Sequence, residues 1–306
     1  MNLLIPSFFA TIIFFNMTGK NISGGFYSSD QDQKPLFSFG IIADVQYSDF
    51  DPEGTKFYRA SLEKLRKAFA TFKEDSSDFV INLGDLIDND FASYEPVLDI
   101  LSASGLKTYN VKGNHDYSVG TRYKKRIPVL TSSKEGYYSF VFKDFRFIFL
   151  NGNELSTYVS NNKLAIKKAN DFISDLKNKG EINAIDWNGG ISAKQLNWLS
   201  EQLSQANTKA EKVFIICHFP VFPENVHNLL NYKEVLQILE KYQNIIAWFN
   251  GHNHAGNYGN FNQIHFVTFK GMVETKAINS FAIVEVYKNK IWIKGHGREK
   301  SQILAY

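Results

Sequence analysis

Asp44-Val45-Gln46, Asp85, Asn114-His115, His218 and His252-Asn253-His254 are the residues of this chain whose types could do chemistry together. Each group lies at or just past the end of an apolar run that reads as a short buried strand, and in open α/β sheets ligands bind beyond the carboxyl ends of the strands. Singly, each has an ordinary explanation. Gly84-Asp85 is turn chemistry, Asn114 after Gly113 tolerates a positive φ, and a His after a core strand is more often a hydrogen-bonded surface group than a ligand. Five strand ends that all carry carboxylate, amide or imidazole, with no thiolate, point instead to divalent cations. Such an N/O set suits Mn, Fe or Zn in a hydrolytic site and disfavours an iron–sulfur cluster or a purely structural zinc site. Two cations a few ångströms apart need a bridging carboxylate, and they clamp the attacking and leaving oxygens of a displacement at phosphorus. A bridging hydroxide made acidic by both cations is then the expected nucleophile, and no Ser or Cys is required.

The elements that must position these groups follow from hydrophobic spacing. Residues 37–43 are a continuous apolar run ending in Asp44. Leu62, Leu65, Phe69 and Phe72 recur at helical spacing, so residues 57–72 are expected as an amphipathic helix. A strand at 79–83 leads into Gly84-Asp85-Leu86-Ile87-Asp88. Ser93, Pro96 and Gly105 mark the start and stop of a second helix, and a strand at 108–111 runs into Gly113-Asn114-His115-Asp116. Strand, helix, strand, helix, strand is the rhythm of a parallel sheet with helices on its faces. A hairpin is expected at 137–150, then a helix at 161–179 inside an insertion that reaches about residue 188. Ser192-Ala193-Lys194-Gln195 reads as a capping box opening a helix. Strands at 213–217 and 245–249 end in His218 and Gly251-His252-Asn253-His254, with a helix at 232–242 between them. Three more strands are expected near 264–269, 281–287 and 291–294.

Composition sets bounds. With 306 residues, 44% hydrophobic and 21% charged, the chain can bury a large core, and a net charge of +3 is too small to argue for nucleic acid or an anionic membrane. Lys124-Lys125-Arg126 reads as a solvated loop. The single cysteine, Cys217, excludes an internal disulfide and a Cys-based zinc cluster, and is expected in the core. Residues 3–15 are almost wholly apolar, too short to span a bilayer and about the length of a signal-peptide core, and the polar stretch to residue 34 reads as a linker. No basic residue precedes the run and no Ala-x-Ala site follows it. The organisation expected is therefore a signal peptide or anchor plus linker over 1–34 and a single domain over 35–306. Export or membrane anchoring is favoured over a cytoplasmic location, and no transmembrane span is expected in the mature domain.

Taken together and in order, Asp44-x-Gln46, Gly84-Asp85-x-x-Asp88, Gly113-Asn114-His115-Asp116, His218 and Gly251-His252-x-His254 resemble the calcineurin-like metallophosphoesterases. The motifs span about two thirds of the chain. That family usually has Asp-x-His at the first position. Gln46 instead resembles the branch of manganese-dependent ADP-ribose/CDP-alcohol diphosphatases. So do Asn188-Gly189-Gly190-Ile191-Ser192, Gln195-Leu196-Asn197-Trp198-Leu199, Asn231-Tyr232, Gly271-Met272-Val273-Glu274-Thr275 and Lys294-Gly295-His296-Gly297-Arg298. An amide oxygen is a harder ligand than imidazole, which fits a lean towards Mn over Zn.

The resemblance implies a layered α/β fold, a β-sandwich flanked by helices with a dinuclear site at the carboxyl ends of strands. It implies Asp44, Gln46 and His254 on one metal, Asn114, His218 and His252 on the other, and Asp85 bridging them. His115 would be a non-ligand that protonates or stabilises the leaving oxygen, and the spacing of Gly-Asp-x-x-Asp offers Asp88 to orient it. Asn231, Tyr232 and Arg298 become candidates for substrate contact. His227, His265 and His296 lack ligand spacing and are read as structural. The expected activity is hydrolysis of the pyrophosphate of small nucleotide substrates such as ADP-ribose and CDP-alcohols by a monomer. The alternatives are a phosphodiesterase or phosphomonoesterase with another substrate, or a scaffold that lost its metals. A scaffold should have lost ligands, and every ligand position here holds a competent side chain.

Overall fold

Residues 34–127 and 135–306 are described in this computed structural model. The apolar run at 3–15 and most of the linker after it therefore lie outside the described residues. Lys34–Tyr306 forms one compact unit.

The chain runs β1 (Phe37–Ile42), α1 (Ala60–Glu74), β2 (Phe79–Asn82), α2 (Tyr94–Ser104), β3 (Thr108–Asn110), β4 (Tyr138–Phe142), β5 (Phe145–Phe149), α3 (Lys163–Asn178), α4 (Ala193–Thr208), β6 (Lys212–Ile216), α5 (Tyr232–Leu239), β7 (Ile245–Asn250), β8 (Asn257–Phe261), β9 (Ile264–Thr268), β10 (Ser280–Val286), β11 (Lys290–Gly297) and β12 (Gln302–Ala305). These strands make two mixed sheets, in the orders β12-β11-β10-β1-β2-β3 and β4-β5-β6-β7-β9-β8. Strands β1, β2 and β3 are mutually parallel, as are β5, β6, β7 and β9, so the carboxyl ends within each group share one edge.

Alternation along the strands explains the layering. In β1, Phe37, Phe39 and Ile41 enter the core between the sheets, whereas Ile42 joins the layer under the helices. Opposite them, Phe145, Phe147, Phe149, Phe214 and Phe249 come from the second sheet. The rings interlock: Phe39 stacks on Phe79 at 5.2 Å and meets Phe147 edge-on at 5.6 Å. Outside the first sheet, α1 and α2 bury Leu65, Phe69, Phe72, Val97 and Leu101. Outside the second, α4 and α5 bury Leu199, Leu203, Val235 and Leu239. Each such side chain contributes about 1.5–3 kcal/mol, so the strand tips project from a rigid frame.

Several boundaries differ from expectation. Helix α1 starts at Ala60 because the Phe57 amide donates to Val273 O and holds the residues before it as a turn. The capping box at Ser192 is half formed. Ser192 Oγ accepts from Gln195 N, but the Ser192 amide donates to Glu154 rather than to Gln195, whose side chain bonds Asn151 and Glu154. Strands β8 and β12 were not expected from the sequence, and both lie on sheet edges.

Candidate metal centre

The tips that carry the predicted ligands are tied to one another before any ligand chemistry begins. The Asp44 amide donates to Gly84 O, Gln46 to Asp85 O, Gly251 to His218 O and Val273 to Asp44 O. These bonds hold four proposed ligands in the left-handed region: Asp44 at φ 49°, Gln46 at 42°, Asp85 at 56° and His252 at 69°. Each such residue costs about 1–3 kcal/mol, and strain of that kind gathers where a fold must aim side chains. Glycine makes the room. A Cβ on Gly113 would lie 2.1 Å from Asp85 Oδ1, and one on Gly251 would lie 2.4 Å from Asp44 Oδ2.

The side chains fall into two groups. His254 Nε2 lies 3.4 Å from Asp44 Oδ1 and 3.2 Å from the Gln46 amide nitrogen. His218 Nε2 lies 3.2 Å from both Asn114 Oδ1 and Asp85 Oδ2. Asp85, His218 and His252 offer ligand atoms within 4.8 Å of one another. Asp85 Oδ2 is also 3.4 Å from the Gln46 amide nitrogen, so one carboxylate touches both groups.

Each imidazole is fixed through its other nitrogen, which decides the nitrogen left for a cation. His218 Nδ1 sits 2.8 Å from Leu83 O, His254 Nδ1 2.8 Å from Glu274 Oε1, and His252 Nε2 2.9 Å from Asn188 Oδ1. Asn188 also donates to Asn183 O and Val226 O, so the end of the 151–190 insertion buttresses the centre. Asp116 holds Asp85 from behind, accepting from the amides of Asp85, Leu86 and Gly113 at 2.9–3.1 Å and from the Tyr94 hydroxyl. Burial and the Asp85 charge push the Asp116 carboxyl up to about 6.

The donor set fits two divalent cations. Its groups are carboxylate, amide and imidazole, the right choice for a hard or borderline ion. Gln46 Oε1 is buried without a hydrogen-bond partner while its amide nitrogen faces His254 Nε2. Turning that amide over would present Oε1 to a cation beside His254 and Asp85.

The electrostatics agree. Burial would lower His218, yet Asp85 pushes it up to about 9, and Asp44 with Glu274 does the same to buried His254. Burial would raise Asp85, but the imidazoles of His218 and His115 hold it well below the usual carboxylate range. His252, buried next to His218, is pushed well below its ordinary value. In the metal-free protein the His218 and His254 pairings stabilise the fold fully below the ordinary value of 6.5 and fade as pH rises through about 9. His252 works the other way, losing stability as pH falls below 6.5. A cation must displace the imidazole protons, so its affinity rises with pH up to about 9. Melting temperatures with EDTA should therefore fall between pH 7 and 9.5, while the increment from added Mn grows. A rising metal-free curve over that range would contradict the assignment.

Above the centre lies a cleft of about 480 Å³ whose lining includes Lys56, His115, Trp187, His227, His252 and His254. His115 is reached from behind by Asp88, whose Oδ2 lies 2.9 Å from Nδ1, close but bent away from full hydrogen-bond alignment. Burial would lower His115, and Asp85 and Asp88 raise it above its ordinary value. Three expected substrate contacts are engaged elsewhere, and none of them lines the cleft. Asn231 exchanges hydrogen bonds with the backbone of Ile191, Tyr232 is buried against the second sheet, and Arg298 donates to Gly271 O and His254 O. Conversely, His227 reaches the cleft although it lacked ligand spacing, with its ring 5.5 Å from His252. Glu274 and Asp116 stood in quoted motifs without an assigned role. Lys56 and Trp187 had no periodic signal at all.

Residues 37–256 match the calcineurin-like phosphoesterase family. The chain is 31% identical to the Homo sapiens protein named manganese-dependent ADP-ribose/CDP-alcohol diphosphatase, over 91% of this chain and 95% of that one. The Xenopus laevis protein of the same name is 30% identical, over 91% and 93%. The crystal structure of a dimetal phosphatase from Danio rerio superposes with a TM-score of 0.81 at 26% identity, covering 89% of this chain and 100% of that one. A fold, a ligand set and relatives matched along nearly their whole length coincide: the chain belongs to the calcineurin-like phosphoesterases, in the family of the manganese-dependent ADP-ribose/CDP-alcohol diphosphatases.

Proposed function

We propose that this chain hydrolyses the pyrophosphate bond of small nucleoside-diphosphate derivatives, ADP-ribose and CDP-alcohols among them. The products are a nucleoside monophosphate and a phosphorylated sugar or alcohol. The observation that carries this reading is Asp85, one carboxylate in contact with both ligand groups under an open cleft. Two divalent cations held by Asp44, Gln46 and His254 and by Asn114, His218 and His252, with Asp85 between, would supply positive charge to phosphoryl oxygens and acidify water. The protein's own groups do the rest. Lys56 lines the cleft and offers an ammonium to the second phosphate. His115, held by Asp88, presents its other nitrogen to the leaving oxygen. Each chain holds a complete ligand set, so a monomer suffices.

The test is a Mn-loaded substrate panel of ADP-ribose, CDP-choline, a cyclic nucleotide and p-nitrophenyl phosphate, with products identified. Cleavage of the first two to nucleoside monophosphates supports the reading, and rapid hydrolysis of only the last two overturns it. We also propose that residues 1–34 direct export or anchoring, from the apolar run at 3–15. A reporter fused to that segment and left in the cytoplasm would refute it.

A further inference from the structure

Beside the main cleft is a smaller groove of about 260 Å³, lined by Asn114, Ser118, Thr157, Tyr158, Asp186 and Trp187. The two hollows share Asn114, a proposed ligand, and Trp187, which stands between them. A diphosphate cut at the centre has two arms, and two hollows meet there. The larger has room for a nucleoside and carries Lys56. The smaller suits a compact group.

Its chemistry is particular. Trp187 is 45% exposed, and among the described residues no aromatic ring or cation stacks on its indole. Its neighbours are fixed: Asn188 is buried against His252, and Thr157 Oγ1 donates to Asp186 O. The Asp186 carboxylate, next in sequence to Trp187, has no side-chain hydrogen bond or ion pair among the described residues. No Lys or Arg lines the groove. The nearby Lys124 ammonium is engaged by the carbonyl of Tyr158. A free indole face, a second aromatic residue and an unpaired carboxylate are what recognises a quaternary ammonium: the ring quadrupole attracts the cation, the carboxylate supplies charge, and no hydrogen bond is demanded.

We propose that this groove binds the alcohol arm of the substrate and selects arms that end in a quaternary ammonium, such as the choline of CDP-choline. The proposal rests on the diphosphatase reading and deepens it by naming the preferred alcohol.

The experiment compares kcat/KM of the Mn-loaded full-length chain for CDP-choline, CDP-glycerol and ADP-ribose, in wild type, Asp186→Asn and Trp187→Leu. The wild type is expected to prefer CDP-choline to CDP-glycerol. Each variant should lose that preference by roughly tenfold, mainly through KM, since cation–π and close charge contacts are worth factors of that order. Inhibition by the product phosphocholine should weaken by a similar factor, and inhibition by glycerol 3-phosphate by less. If both variants depress CDP-choline and CDP-glycerol equally, or the wild type prefers glycerol, the groove is not an ammonium site. Cleavage of all the diphosphates without that preference overturns this inference alone. No cleavage of any of them, with phosphodiesters hydrolysed instead, overturns the diphosphatase reading as well.

Discussion

Replacing Asp85 by asparagine is expected to lower metal-dependent hydrolysis by about 10³-fold or more and to reduce bound Mn below two ions per chain. The variant is nearly isosteric, so packing is not what fails. Asp85 Oδ1 accepts the His115 amide at 2.8 Å, and Oδ2 lies 3.2 Å from His218 Nε2 and 3.4 Å from the Gln46 amide. An asparagine must turn its NH2 either towards the His115 amide, where two donors would meet, or into the cluster, where it repels a cation. It also removes the buried charge that pushes His218 up to about 9. The His218 pairing then contributes nothing below that pH, so the metal-free variant should melt lower than wild type at pH 7. Metal content by mass spectrometry, kcat and a melting curve together check the claim. Two tightly held Mn per chain with a rate within tenfold of wild type would show that Asp85 does not join the two groups.

Much of this arrangement was legible before the structure because the ligands come from central parallel strands. Runs such as Phe79-Val80-Ile81 and Phe214-Ile215-Ile216 are apolar on both faces, as buried strands must be, and each ends abruptly in a polar tip. That contrast fixes where Asp85 and His218 sit. Edge strands give no such contrast. The exposed Asn257-Tyr258-Gly259-Asn260-Phe261 of β8 has the composition of a loop, and pairing with β9 alone makes it a strand. The supports of the centre were illegible for another reason. Asp116 accepts from amides on two loops, Asn188 reaches His252 across 64 residues, and Glu274 meets His254 across 20. Spacing along a chain cannot report which loops converge. The same holds for His227 and Trp187, which reach the cleft from segments without period. Arg298, a candidate for substrate contact through the resemblance, has a guanidinium that bonds the backbone carbonyls of Gly271 and His254, a link across loops that spacing does not report either.

His115→Ala is expected to lower kcat by about 10²–10⁴-fold, the usual worth of a positioned proton donor. His115 does not belong to either ligand group; its ring lines the cleft, and its amide, not its imidazole, bonds Asp85. A proton donor matters in proportion to the basicity of the leaving oxygen. The loss should therefore be larger for esters with alkoxide leaving groups than for aryl esters or diphosphates, whose leaving oxygens are less basic. Metal content should stay at two ions. Asp88→Asn tests the support. The Asp88 carboxylate, 2.9 Å from Nδ1, helps hold the His115 imidazole above its ordinary value. Without it the imidazole loses its proton at lower pH, so the alkaline limb of the pH–rate profile should move to lower pH and kcat at neutral pH should drop roughly tenfold. The two substitutions act on one group, so the double variant should be little worse than His115→Ala alone. If Asp88→Asn left both rate and profile unchanged while His115→Ala abolished turnover, the pairing would have no catalytic role. If losses at the two positions simply multiplied, Asp88 would act on something other than His115. Asp88 is a buried carboxylate 2.9 Å from a cleft imidazole, which places it to hold a proton there, and the residues grouped at metal-ligand distance are Asp85, His218 and His252.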